Sequence, residues 1–76
     1  MAIRNIVGKK IAGLRKARKL SQLALSRLAG IDRGFLSEIE NGKVNVSIVI
    51  LEKIAIGLET SLADLVTPET STQPQH

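Results

Sequence analysis

Between Ser21 and Lys43 the chain carries three short groups of residues that hydrogen-bond well and react poorly: Ser21 and Gln22, then Asp32, Arg33, Gly34, Ser37 and Glu38, then Asn41 and Lys43. Hydroxyl, amide, guanidinium and ammonium groups of this kind recognise polar edges and anionic oxygens. Covalent chemistry has no foothold. There is no cysteine, and the one histidine, His76, is the last residue, so thiolate chemistry and metal sites have no basis. No carboxylate pair clusters for acid–base work and no glycine-rich loop cradles a phosphate. The reading is therefore not an enzyme, with no metal, cofactor or small-molecule ligand.

The elements that must hold these groups are legible nearby. Ser21 is a candidate N-cap ahead of the apolar run Leu23, Leu25, Leu28, Ala29, which predicts a helix over about 22–29. Gly30 supplies a left-handed stop, and Asp32 can cap a second helix over about 33–40 carrying Phe35, Leu36 and Ile39, closed by Asn41 and Gly42. Two helices of roughly eight residues joined by a short turn containing glycine describe a helix-turn-helix, whose second helix can lie in a DNA major groove. Upstream, Val7, Ile11 and Leu14 predict a first helix over 5–19, in which Gly8 and Gly13 lower the intrinsic propensity. Downstream, Ser47 can cap a fourth helix with a stripe of Ile48, Leu51, Ile54, Ala55 and Leu58. Ser61 with Asp64 can open a short fifth helix through Leu65 and Val66, ended by Thr67-Pro68. Residues 67–76 have no large apolar side chain and read as a disordered tail, leaving 1–66 as the folded domain.

LSQLALSRLAGIDRGFLSEIENGK, followed by LEKIAIGLETSLADL, resembles the Cro and phage-repressor helix-turn-helix regulators from about Val7 to Val66. Its most specific parts are Leu20-Ser21-Gln22, Ile39-Glu40-Asn41-Gly42-Lys43 and Ser61-Leu62-Ala63-Asp64-Leu65. Small relatives include phage repressors, antitoxins and restriction-modification controllers; Ile31-Asp32-Arg33 and Asn45-Val46-Ser47 resemble the controllers. The resemblance implies an all-α, compact five-helix, lambda-repressor-like domain that binds double-stranded operator DNA and regulates transcription. It implies an ion pair between Arg15 and Glu40, a phosphate contact from Gln22 at the start of the first motif helix, and a second phosphate clamp from Asn41 and Lys43 just past the second. It also implies a homodimer through the fourth and fifth helices, using Leu62 and Val66.

On the second motif helix, Leu36 and Ile39 belong to the core, so Asp32, Arg33, Gly34, Ser37 and Glu38 face the groove. Arg33 can donate twice to guanine O6 and N7, or hold a phosphate; Glu38 can accept from cytosine N4. Phe35 reads as core, with an edge that could meet a thymine methyl. On the fourth helix Val49 and Ile56 project away from the core with Ile50 flanking, either as scattered aliphatics or as a two-fold interface.

Charge is distributed unevenly. Arg4, Lys9, Lys10, Arg15, Lys16, Arg18, Lys19 and Arg27 stand in residues 1–31 without an acid, whereas residues 44–76 set Lys53 against Glu52, Glu59, Asp64 and Glu69. One end therefore attracts a polyanion. A domain of this size buries only ~60% of its unfolded surface, and a second copy would supply the missing stability. No apolar run reaches the ~18 residues of a membrane span. The expected location is the cytoplasm, nucleoid-associated when bound to DNA. The rival reading is a protein-interaction module of the same fold, antitoxin-like, with the acidic motif helix contacting protein.

Overall fold

The computed structural model describes residues 3–66. The tail, the Thr67-Pro68 stop and His76 lie outside the described residues. Five helices follow one another: α1 (Ile3–Ala17), α2 (Gln22–Ala29), α3 (Arg33–Glu40), α4 (Ile48–Gly57) and α5 (Leu62–Val66). Each of the last four opens on a side-chain oxygen that takes an otherwise orphaned amide. The Ser21 hydroxyl accepts from the Ala24 N–H at 3.0 Å, and the Asp32 carboxylate accepts from the Phe35 N–H at 3.1 Å. Ser47 does the same for Ile50 at 3.2 Å, and Ser61 for Asp64 at 3.1 Å. The Thr60 hydroxyl also donates to Asp64 at 3.0 Å. That bond first, then those with Ser61, hold the Asp64 carboxyl below its ordinary range. The stabilisation is present above the unfolded carboxyl's titration and is lost as pH falls through the lowered value.

Helix α1 departs from its expected span: it is already helical at Ile3, the first described residue, and stops at Ala17. No glycine marks that stop. Lys19 itself adopts a left-handed φ of 58°, and the Leu20 N–H returns to the Arg15 carbonyl at 3.0 Å. Leu20 is thereby turned back onto the core, and Arg15 holds the reversal by donating from Nη1 to the Leu20 carbonyl at 2.8 Å. The end of α4 repeats the device at Glu59, φ 56°, with the Thr60 N–H on the Ala55 carbonyl. A side chain in this conformation costs roughly 1 kcal/mol or more that glycine avoids. Lys19→Gly and Glu59→Gly are each expected to stabilise the fold by about 0.5 to 1 kcal/mol, because relief of strain exceeds the added freedom of the unfolded chain. Urea midpoints that fall for both variants would contradict this.

The core is aliphatic: Val7, Ile11, Leu25, Ala29, Leu36, Ile39, Leu51, Ile54, Ala55, Leu58 and Leu65 are all buried. Leu14, Phe35, Ile50 and Leu62 pack half-buried against it. Three residues placed in apolar stripes by spacing are instead exposed, namely Leu23 and Leu28 on α2 and Ile48 in the first turn of α4. Both helices are short, and α2 turns only the Leu25–Ala29 side inward.

Gly8 is buried where α1 crosses the end of α3. A Cβ there would collide with the Ile39 carbonyl and stand 2.7 Å from that of Glu40. What spacing presents as a weak helix residue is the point at which two backbones meet. The left-handed Gly42, φ 71°, brings the chain against Asn5 in the same region.

Candidate nucleic-acid interface

Helix α3 buries Leu36 and Ile39, which turns Asp32, Arg33, Gly34 and Glu38 outward and leaves Ser37 half-exposed. The turn that sets its angle to α2 uses Gly30 at φ 72°, with the Ile31 N–H on the Ser26 carbonyl at 2.9 Å. Phe35 leans on the core with part of its ring outside.

The base of α3 is fixed by a polar junction of three helices. Arg15 of α1 grips Glu40 with two bonds, Nε to Oε2 at 2.8 Å and Nη2 to Oε1 at 3.1 Å, while its third nitrogen holds the Leu20 carbonyl. The two side chains are 11% and 6% exposed, so the pair is screened from water. Gln22 completes the junction by donating its amide to Glu40 Oε1 at 3.0 Å. Gln22, the candidate phosphate donor, thus spends one amide N–H on Glu40 and retains the other. Near Gln22, the first backbone amides of α2 remain as donors that a helix start leaves without intrahelical acceptors.

This junction also offsets the charge of one of the three acids of the α3 segment. Glu40 is matched by Arg15, and the Asp32 carboxylate is engaged as the N-cap, so Asp32 positions the helix start. Glu38 alone of the three acids faces solvent with no partner among the described residues. Arg33 is exposed in the first turn. At the trailing end Asn41 donates to the Ser37 carbonyl at 2.9 Å, and Lys43 is exposed just beyond it. Ser21 is exposed at the start of α2.

Two features of this surface are invisible in residue spacing. Asn5 and Lys9 of α1 line a notch with Glu40 and Asn41, and Arg4 donates to Asn45 at 3.4 Å. Among the described residues no group of three or more histidine, cysteine or carboxylate side chains converges on a metal position. Nor is any helix among them long and apolar enough to cross a membrane.

Of the residues proposed for an interface on α4 and α5, Val49 is 60% exposed, Ile56 69% and Val66 37%. Ile50 and Leu62 are half-buried against the core and could present only an edge.

Comparison with known proteins places this geometry. Residues 11–65 match the helix-turn-helix family. Control protein C.MunI of Mycoplasma sp is 48% identical over 59 residues, spanning 76% of this chain and 80% of that protein. The crystal structure of the restriction-modification controller protein C.AhdI from Aeromonas hydrophila aligns with a TM-score of 0.80 at 35% identity, over 82% of this chain and 94% of that one. A hypothetical transcription factor, NHTF, from Neisseria aligns with a TM-score of 0.89 at 26% identity, over 92% and 80%.

Proposed function

This chain belongs to the helix-turn-helix family, and from that premise we propose that it acts as a homodimer on an inverted-repeat DNA operator in the cytoplasm. It is a sequence-specific DNA-binding regulator of transcription and not an enzyme. The observation that carries the docking mode is the division of α3: Leu36 and Ile39 are buried, while Arg33, Gly34 and Glu38 line an outward edge braced from behind by Arg15, Gln22 and Glu40. A rigid helix with one polar edge is what major-groove recognition requires. Arg33 reads a base, Ser37 and Glu38 complete the edge, and Asn41, Lys43 and the start of α2 at Ser21 and Gln22 hold the flanking phosphates. Val49 and Ile56, with Val66, support a two-fold contact that would set two α3 helices about one DNA turn, ~34 Å, apart. Likeness to the controllers C.MunI and C.AhdI supports the same regulatory class here.

Selection from a random duplex library is expected to return a palindromic site. On that site Arg33→Ala should lose ~1 to 3 kcal/mol and relax preference at one base pair per half-site, whereas Lys43→Ala should weaken every sequence alike. Equal losses for Arg33→Ala on selected and random duplexes would reassign it to a phosphate. Binding that ignores salt would argue for a protein-docking surface instead, since release of counterions makes DNA affinity fall steeply with salt.

A further inference from the structure

We propose that Lys9, with Asn5 and Asn41, forms a DNA-phosphate subsite on α1, extending the backbone contacts of the α3 end onto a helix outside the motif. The assignment rests on the DNA-binding reading above. Its physical basis is the notch lined by Asn5, Lys9, Glu40 and Asn41. Gly8 lets the α1 backbone meet the carbonyls of Ile39 and Glu40, and Gly42 seats the chain against Asn5, so the notch is built by two close approaches rather than by flexible surface.

The electrostatics of the notch favour an anion. Glu40 would ordinarily repel one, but its carboxylate is gripped by Arg15 and receives the Gln22 amide, and it is 6% exposed. Lys9 is exposed, and its ammonium forms no ion pair or hydrogen bond with any described residue. It lies one helical turn from Asn5 on the same face of α1. Asn41 uses one N–H on the Ser37 carbonyl, and its amide retains a second donor. A mobile ammonium beside two carboxamides is suited to a phosphodiester oxygen, which needs charge and donors and carries no base information. Lys43, just past Asn41, makes the subsite continuous with the α3 clamp.

The test uses the full chain and its selected duplex, with a random duplex alongside. Lys9→Gln should make the slope of log affinity against log salt shallower by about 1.8, the release of two counterions per dimer, one at each half-site, with equal losses on both duplexes and unchanged base preference. Phosphate ethylation interference should lose one protected phosphate per half-site. A Lys9→Gln protein with the parental slope and ethylation pattern would overturn the subsite alone. An unmodified chain without salt-dependent duplex binding would overturn both the subsite and the operator reading.

Discussion

Arg15→Ala is expected to cost the fold about 3 to 5 kcal/mol, because it strands a carboxylate rather than merely deleting a contact. Glu40 would keep the Gln22 amide but lose both guanidinium bonds, at a position only 6% exposed. Glu40→Ala should cost less, since the remaining guanidinium is 11% exposed and keeps the Leu20 carbonyl. The double variant should lose less than the sum of the two, with a coupling of about 0.5 to 3 kcal/mol, since neither charge is then left alone. Chemical denaturation of the four proteins measures this directly. Where a single variant is too weakly folded to fit, Glu40→Gln, which keeps the shape and removes the charge, should fall between. Additive losses would show that the three-helix junction is not a coupled unit.

Ile56→Asp should dissociate the proposed dimer while leaving each protomer folded. Ile56 is 69% exposed, so its replacement removes little from the core that Leu51, Ile54 and Ala55 make. Val49, two turns earlier at 60% exposure, lies on the same face, and a carboxylate between two such copies would be buried without a partner. Operator affinity should fall by roughly 100-fold or more as the two half-site contacts become independent. Affinity for a single half-site should barely change. Sedimentation and duplex titrations with full and half operators separate the two effects. A monomeric parent at tens of micromolar, or an Ile56→Asp protein that still dimerises, would remove the interface from this face.

Much of this protein is determined over distances of a few residues, and that part is readable from sequence. Ser21, Asp32, Ser47 and Ser61 each bond an amide three positions on, and Gly30 and Gly42 take up left-handed turns. The spans of α2 and α3 and the outward edge of α3 follow, because capping and helical period act within one turn.

What only the tertiary structure decided involves groups far apart in the chain. Helices α1 and α4 are closed by left-handed turns at Lys19 and Glu59, residues with no intrinsic preference for that conformation, where Leu20 turns back onto the core and Leu58 is buried in it. Gly8 matters for the carbonyls of Ile39 and Glu40, not for its helix propensity. The Gln22 amide gives one N–H to Glu40, and Ile50 and Leu62 sink against the core while Leu23, Leu28 and Ile48 stay outside. The reason is common to all of them. Periodicity specifies which residues share a helix face, but the crossing of one helix over another determines which part of that face is covered and which polar groups come within bonding distance.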